Sequence, residues 1–335
     1  MSLVCKAVGK TDIGLVRTGN EDYLQLDPQN NVFAVCDGMG GHAAGEVASM
    51  TAAEIISTSF SHFKRELLDD ETLAFGRTVP DTGTILVKSI RLANREIYNR
   101  AQTDSALSGM GTTIVVLSLE ADYMSIAHVG DSRAYKIEER ELVQLTKDHS
   151  WVQEMQDSQR INLSEADVSV GKNVITRALG VRHDVEVDYR LIKVKAGDKF
   201  MLCSDGLCGF ADNDEIFDVI KRAEGNIEKI TDLLVKMAND RGGMDNVTIA
   251  VVEIEKVEES PIEECQTFTI SAESPELLKI EDLWLQKINA KRQEMAELDD
   301  MPAAGKKTPD NKVVFAIFAG FFIIVLLFIW MLMSK

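Results

Sequence analysis

The sequence predicts a mainly antiparallel α+β domain over about residues 1–256 of a chain of 335 residues. Two features of the pattern indicate this class. Short runs of apolar and β-branched residues follow one another across tight polar turns, as antiparallel strands do. The segments with helical periodicity are grouped between such runs, whereas a doubly wound parallel sheet alternates a helix with nearly every strand.

Strands are predicted where apolar runs end at turn residues. The runs Thr112–Leu119 and Tyr123–Val129 are separated by only three residues, which predicts a hairpin, and Ala134–Ile137 with Leu142–Leu145 predicts a second one. The other predicted strands are Val32–Cys36, Val185–Val194, Phe200–Cys203 and Val247–Ile254.

Helices are predicted where apolar residues recur every three or four positions. The segments are Gly45–Phe63, Thr82–Ala101 and Asn226–Ala238. Asp212 is predicted to cap a further helix. It does not begin a calcium loop, because the glycine and the final glutamate of such a loop are absent at the required spacing.

The composition changes after residue 256, where residues 257–312 are predicted to form a linker. Within it, 275–298 has the pattern of an amphipathic helix, with Ser274 as its cap and Pro275 at its first position. Glu281 and Lys291 interrupt the apolar side. Two interpretations stay open, namely a partly ordered tether and a helix that dimerises or binds a partner.

The segment Val313–Met333 contains no charged residue and is about 31 Å long as a helix, which matches a bilayer core. It predicts a single C-terminal transmembrane helix; the alternative is a buried core helix. Lys306, Lys307 and Lys312 precede it and only Lys335 follows. The excess of positive charge predicts that the preceding residues face the cytoplasm.

The formal net charge is −18, which argues against nucleic acid as a partner, because phosphate backbones require neutralisation by Lys and Arg. Five cysteines are widely spaced and no C-x-x-C pair occurs, so neither a zinc site nor a disulfide framework is indicated. The pattern is typical of a reducing compartment. No oligomeric state is predicted.

Four aspartates adjoin apolar runs at predicted strand ends: Asp37, Asp131, Asp205 and Asp245. Each of them alone is compatible with an ordinary turn. Together, carboxylates held at the rims of sheets would repel one another unless cations lay between them. Oxygen ligands of this kind suit Mg²⁺ or Mn²⁺.

The aspartates belong to an ordered set of motifs that resembles the bacterial type 2C serine/threonine protein phosphatases over about residues 6–254. In chain order, the motifs are Asp12-Ile-Gly-Leu-Val-Arg17-Thr-Gly-Asn20-Glu21-Asp22, Asp37-Gly38-Met39-Gly40-Gly41-His42, Gly109-Met-Gly-Thr-Thr113, Gly130-Asp131-Ser132-Arg133, Ser204-Asp205-Gly206 and Asp245-Asn246.

The resemblance implies a fold of two antiparallel sheets packed face to face, with helices on both outer faces. It also implies two bridged Mn²⁺ or Mg²⁺ ions and a third, weaker one. The resemblance implies that Asp37 bridges the two ions and that the Gly38 carbonyl, Asp205 and Asp245 are their other ligands. It implies that Asp131, together with Asp205, holds the third ion. It also implies that Glu21 and Asp22 organise metal-bound water and that Arg17 grips the substrate phosphate.

Animal members of that family carry a histidine, suspected as general acid, where this chain has Met39. Bacterial members carry a histidine three residues later, as His42 does here. Two roles stay open for His42, proton donation to the leaving group and structural hydrogen bonding. Arg17 has the alternative of a surface ion pair.

We therefore expect hydrolysis of phosphoserine and phosphothreonine in proteins, at the cytoplasmic face of a membrane. The expected partners are phosphorylated proteins, with a cognate serine/threonine kinase among them. Two alternatives are a binding module without turnover, which the complete set of metal-site aspartates disfavours, and a membrane scaffold in which the tail dominates.

Overall fold

The structure is a computed structural model, and it describes residues 4–40, 44–69, 79–158, 174–260, 266–270 and 275–299. Its strands are β1 (Val4–Asp12), β2 (Asp22–Asp27), β3 (Val32–Met39), β4 (Gly111–Thr112), β5 (Ile114–Glu120), β6 (Tyr123–Val129), β7 (Arg133–Ile137), β8 (Leu142–Gln144), β9 (Val187–Lys193), β10 (Lys199–Cys203), β11 (Val247–Lys256) and β12 (Gln266–Ile270).

Two sheets result, and every strand pair in them is antiparallel. One sheet has the order β1-β11-β10-β7-β8. The other has the order β12-β9-β6-β5-β3-β2, with the short β4 beside β3. The predicted antiparallel α+β class is confirmed.

The helices are α1 (Ala44–His62), α2 (Lys64–Asp69), α3 (Asp81–Thr103), α4 (Trp151–Asp157), α5 (Asp205–Cys208), α6 (Asn213–Arg222), α7 (Ile227–Asp240) and α8 (Pro275–Asp299). A short 3₁₀ turn follows α3 at Ser105–Leu107. Asp212 caps α6 as predicted, since its Oδ1 accepts from the Glu215 backbone N–H at 2.9 Å. The Glu215 side chain accepts from the Asp212 backbone N–H in return.

Strand β3 shows how the layers are built. Phe33 and Val35 face the apolar layer between the two sheets, which they share with Phe200 and Leu202 of β10. The alternate residues of β3 face the layer that α1 and α3 cover. Both faces of the strand are therefore buried, which explains its continuous apolar run. A third apolar layer lies between the other sheet and helices α6 and α7.

The predicted strands and helices correspond to elements of the structure, with ends that differ by a few residues. Elements that the periodicity did not predict are β1, β2, β12, α2, α4 and α5. Strand β1 has few apolar side chains, and most of its residues are only partly buried. Its place in the sheet comes from pairing with β11, from Cys5 opposite Ile254 to Asp12 opposite Val247.

The domain boundary expected at residue 256 lies further along the chain in the structure, because one compact unit extends to Ile288. Strand β12 adds to the edge of β9, where unpaired backbone groups are available. Within α8, Trp284, Leu285 and Ile288 are buried in the apolar layer around α1 and α3. Part of the predicted linker is thus packed on the domain.

No helix within the described part of the chain combines the length and the apolar character that crossing a bilayer requires. The predicted transmembrane segment, residues 313–333, lies outside the described residues. So do the proposed cap Ser274 and the end of the predicted linker.

Candidate active site

The candidate carboxylates converge from both sheets. Asp22, the first residue of β2, is directly opposite Asp37 near the end of β3. Asp22 is buried, and Asp37 is partly buried. Two acidic side chains in adjacent positions of a sheet repel each other, so this pairing indicates a site that holds positive charge.

Asp22 also joins the two sheets. Its Oδ2 accepts a hydrogen bond from the Ser204 hydroxyl at 2.7 Å, and that hydroxyl oxygen accepts from the backbone N–H of Thr248 at 2.9 Å. Ser204 and Thr248 belong to the β10–β11 side of the fold and are fully buried. The contact fixes the Asp22–Asp37 pair relative to Asp205, which follows Ser204 in the chain.

Gly38 has a local reason to be glycine. A Cβ there would overlap the carbonyl oxygen of Gly45 at the start of α1 and would crowd the carbonyl of Glu21. The Gly38 N–H donates to that Glu21 carbonyl at 3.0 Å. The missing side chain therefore lets the α1 N-terminus and the Glu21 loop approach the strand end that carries Asp37.

Asp205 begins α5, with only Ser204 between it and the end of β10, and Asp245 lies two residues before β11. Asn246 anchors the loop opposite them, because its side chain donates to the carbonyls of Ile13 and Gly19, both at 3.0 Å, and accepts from the Glu21 N–H at 2.8 Å. Asp205 and Asp37 lie close together, since the charge of Asp205 is one of the causes that raise the pKa of Asp37.

Arg17 lies in that same loop, and half of its side chain is exposed. Its Nη2 is 2.7 Å from Oδ2 of Asp245. The burial of Arg17 lowers its pKa, but the hydrogen bond to Asp245 and the negative charges of Asp245, Glu21 and Asp205 raise the pKa above its ordinary value overall. Arg17 is thus a cation at the mouth of the carboxylate cluster.

Asp131 follows β6 and is only 6% exposed. Its Oδ1 has no hydrogen-bond partner within the described residues. Together with Asp205 it lines a cavity of about 780 Å³, whose wall also includes Arg133, Phe210 and Asp212. A buried carboxylate oxygen without a partner, facing a cavity, indicates a position for a cation.

Burial is the main reason why the carboxyl groups of this cluster hold their protons more tightly than usual. The pKa of Asp22 and the pKa of Asp131 are each raised to about 7, by burial first and then by neighbouring aspartates. Burial and the charges of Asp22 and Asp205 raise the pKa of Asp37 well above its ordinary value. Burial and Asp245 raise the pKa of Asp205.

The donor set fits hard divalent cations. It offers carboxylate oxygens, the backbone carbonyl of Gly38 is adjacent to Asp37, and no sulfur or imidazole ligand is among the predicted ligands. A cation between Asp22, Asp37 and Asp205 would offset the repulsion that raises their pKa values. Magnesium-like ions keep several waters, so two or three protein oxygens for each ion are sufficient.

Glu21 contributes to the site in two ways. Its backbone carbonyl accepts from Gly38 and from the Ser49 hydroxyl, the latter at 2.6 Å. Its carboxylate is partly buried near Gly45, and burial is the first cause that raises its pKa. His42 lies outside the described residues, so its two possible roles stay predictions.

A second cluster was not predicted from the sequence. His128, His149 and Asp188 place their ligand atoms within 4.8 Å of one another, the only such group of three among the described residues. Arg177 already supplies a positive charge there, since its Nη1 is 2.8 Å from Asp188 Oδ1 and 3.0 Å from His149 Nε2. The cluster is therefore an internal ion-pair network.

Sequence reasoning gave no role in the site to several residues that hold it together, namely Ser204, Thr248, Thr113, His149 and Asp188. Thr113 is an example: its backbone N–H donates to the Asp37 carbonyl at 2.8 Å, and its hydroxyl accepts from the Asp37 N–H at 3.2 Å. Ser204 and Thr113 stand inside the quoted motifs, so their positions carried a signal. Asp188 carried none, because it is one polar residue in an otherwise strand-like run.

Comparison with known sequences gives a consistent result. The family model described as Protein phosphatase 2C matches residues 7–247. The chain is 37% identical over 247 residues to the serine/threonine phosphatase stp of Listeria welshimeri, which covers 73% of this chain and 94% of that protein. It is 34% identical over 257 residues to PstP of Mycobacterium tuberculosis, covering 76% of this chain and 46% of that protein.

Solved structures agree with the fold. The catalytic domain of PstP in complex with two manganese ions matches with a TM-score of 0.62 and 32% identity, over 76% of this chain and all of that one. Stp1 from Staphylococcus aureus matches with a TM-score of 0.65 and 33% identity, over 76% of this chain and 98% of that one. The chain belongs to the protein phosphatase 2C family of metal-dependent serine/threonine protein phosphatases.

Proposed function

We propose that this protein hydrolyses phosphoserine and phosphothreonine in proteins at the cytoplasmic face of a membrane. The observation that carries the activity is the convergence of Asp37, Asp205 and the buried Asp131, whose Oδ1 has no hydrogen-bond partner among the described residues. Asp131 and Asp205 also line one cavity. Oxygen ligands in this arrangement suit two divalent ions, Mn²⁺ or Mg²⁺, and a third, weaker one.

Each residue of the site has a proposed role. Asp37 would be shared by the two ions, and the Gly38 carbonyl, Asp205 and Asp245 would be their other protein ligands. Asp131, with Asp205, would hold the third ion. Bound divalent ions supply the charge that makes a water nucleophilic at neutral pH and that neutralises the phosphoryl oxygens.

The other residues prepare the site for the substrate. Arg17 grips two phosphate oxygens with its planar guanidinium, and in doing so leaves its 2.7 Å contact with Asp245. Glu21 and Asp22 orient water at the site, and the burial of Asp22 restricts the directions in which it accepts hydrogen bonds. His42 is the candidate that donates a proton to the leaving serine or threonine oxygen.

The membrane location rests on the sequence. Residues 313–333 are apolar throughout, and lysines precede them. A membrane anchor confines the enzyme to phosphoproteins near the bilayer and raises their effective concentration. A serine/threonine kinase at the same membrane is the partner that this arrangement favours, and the acidic chain disfavours nucleic acid.

The competing functions differ in turnover. A binding module that recognises a phosphorylated partner would bind metal without catalysis, and a scaffold would depend on the tail rather than on the carboxylates. The intact aspartate set favours the enzyme over both, because a module or a scaffold has no need of a complete set of metal ligands.

The test uses the full chain, because residues beyond 256 pack on the domain. Mn²⁺-dependent hydrolysis of p-nitrophenyl phosphate and of a phosphothreonine peptide is measured with the unmodified protein and with Asp205→Ala. We expect activity that requires the metal and disappears in the variant. A folded protein that binds Mn²⁺ and hydrolyses neither substrate would instead establish the binding module.

A further inference from the structure

Three side chains form a row across three adjacent strands of the larger sheet. Thr269 on β12 is directly opposite Asp188 on β9, and Asp188 is directly opposite His128 on β6. The Thr269 hydroxyl donates to Asp188 Oδ1 at 2.9 Å. The row therefore extends from the added edge strand into the sheet that carries the predicted third-ion ligand, Asp131.

Asp188 gathers further contacts at the centre of this row. Arg177 Nη1 donates to the same Oδ1 at 2.8 Å, and His149 Nε2 is 3.3 Å from Oδ2. The His149 ring stacks on the His128 ring, with centroids 4.7 Å apart and an angle of 16° between the planes. Asp188 thus holds one edge of the buried His149 ring in place.

The opposite edge of that ring holds the turn that carries Asp131. The Gly130 backbone N–H donates to His149 Nδ1 at 3.0 Å, and the His149 backbone N–H donates to the Gly130 carbonyl at 3.0 Å. Both hydrogen-bonding groups of Gly130 are thereby used by one residue. Because Gly130 precedes Asp131, these contacts constrain the backbone from which the Asp131 carboxylate extends.

We propose that Thr269 is a positioning residue for the Asp131 end of the metal site, acting through Asp188 and His149. Strand β12 lies beyond residues 7–247, the part of the chain that matches the family model. This support therefore comes from the C-terminal extension, by which we mean the residues that follow the matched part. The inference rests on the proposed function, since it concerns the ion that Asp131 is proposed to hold.

The extension therefore has a role besides leading towards the predicted anchor. An exposed hydroxyl contributes little to folding, but it orients one oxygen of Asp188 and leaves the other for His149. Loss of the hydroxyl lets Asp188 shift towards Arg177. We expect a weaker affinity for the ion at Asp131 and an unchanged affinity for the ions at Asp37.

The test is calorimetric titration of the metal-free full chain with Mn²⁺, which reads binding without turnover. We expect Thr269→Val to raise the dissociation constant of the weakest ion about fivefold, which is the range for one lost hydrogen bond. Thr269→Ser keeps the hydroxyl, so its dissociation constant for that ion should equal that of the unmodified protein. Thr267→Val is the matched control, because Thr267 is also exposed and lies two residues earlier on β12.

A second measurement asks whether the effect passes through Asp188. Asp188→Asn alone should weaken the same ion, and adding Thr269→Val to it should change the dissociation constant less than twofold, because the two residues act in one chain of contacts. Activity on p-nitrophenyl phosphate at saturating Mn²⁺ should be equal in the unmodified and Thr267→Val proteins.

The outcomes separate the two proposals. If the unmodified chain binds Mn²⁺ and is active but Thr269→Val titrates like Thr267→Val, the positioning role is overturned and the phosphatase stands. Failure of Thr269→Ser to restore affinity would also overturn it. If the unmodified chain neither binds Mn²⁺ nor hydrolyses the substrate, the proposed function and this inference fall together.

Discussion

The guanidinium of Arg91 is almost completely buried in α3, and its Nε lies 2.8 Å from Oε1 of Glu281, a residue 190 positions further along the chain in α8. Arg91 also contacts Asp184 at 2.8 Å and the Val185 carbonyl at 3.0 Å. Next to this pair, Arg95 forms two hydrogen bonds with Asp282. The C-terminal extension therefore completes the charge balance of the domain's interior.

Replacement of Glu281 by Ala should lower the free energy of unfolding by about 3 kcal/mol, because a buried arginine loses one of its carboxylate partners. Glu281→Gln keeps an oxygen acceptor and should lose less. Glu294→Ala is the matched control: Glu294 is in the same helix, pairs with Lys291 at 2.9 Å and has a side chain that is 59% exposed, so the expected loss is below about 1 kcal/mol. Urea unfolding of the full-length variants measures all three, and equal losses for Glu281→Ala and Glu294→Ala would contradict the buried role.

Asp205→Asn should stabilise the metal-free protein and abolish its stabilisation by Mn²⁺. Removal of one charge from the crowded carboxylates relieves repulsion of about 1 kcal/mol at pH 8. The unmodified protein, at Mn²⁺ one hundred times above the dissociation constant, should gain about 2.7 kcal/mol. Thermal unfolding with and without Mn²⁺ measures both effects, the stabilisation of the metal-free variant and its loss of stabilisation by the metal. If the metal-free variant were less stable than the metal-free unmodified protein, the proposed repulsion would be contradicted.

Replacement of Arg17 by Ala should raise KM for a phosphothreonine peptide about tenfold, because a charge-assisted hydrogen bond to phosphate is lost. Lysine should not restore it, since it lacks the planar pair of donors. Arg65→Ala serves as control, because Arg65 is 92% exposed and contacts only Asp69, at 4.0 Å, in the ion pairs described. Steady-state kinetics at saturating Mn²⁺ decide the question, and an unchanged KM in Arg17→Ala would leave Arg17 as a surface ion-pair residue.

Acidification should destabilise the fold through His128. Burial, then the nearby His149, lower the pKa of His128 to about 4, although its Nε2 contacts the Lys147 carbonyl at 2.8 Å. Between pH 6.5 and 4 the unfolded chain binds a proton at this position and the folded chain does not. Stability is therefore lost as pH falls through this window, by at most about 3 kcal/mol.

His128→Gln keeps a donor for the Lys147 carbonyl and cannot take up the proton. The loss of unfolding free energy between pH 7 and pH 4 should be smaller in this variant than in the unmodified protein, by at most about 3 kcal/mol. Urea unfolding at several pH values measures that difference. An identical pH dependence in the two proteins would mean that His128 titrates normally in the folded state.

Deletion of residues 300–335 should release the enzyme from membranes and leave its turnover of p-nitrophenyl phosphate within about twofold, because the deletion spares β12 and α8. Fractionation of cells that produce the full and shortened chains measures the location. Deletion from residue 257 is the informative contrast, since it also removes Trp284, Leu285 and Ile288 from the core and should lower stability. A full-length chain in the soluble fraction would contradict the predicted anchor.

Much of the site was predictable because its chemistry is local in sequence. Asp37, Asp205 and Asp245 each stand in a short motif at a strand end, and the order of those motifs identifies the family. The antiparallel class followed from runs separated by tight turns, as with β5 and β6. Strand β1 could not be predicted in this way, because its partly exposed residues are ordered by pairing with β11 rather than by their own pattern.

The sequence by itself determined the family, the carboxylate set and the apolar C-terminal segment, because side-chain chemistry and spacing over a few residues suffice for these. Only the tertiary structure decided that Glu281, which interrupts the apolar side of the predicted helix, is the partner of Arg91, and that Thr269 donates to Asp188. These pairs are separated by 190 and 81 positions. Local periodicity contains no information about such contacts, since the packing of strands and helices alone brings them together.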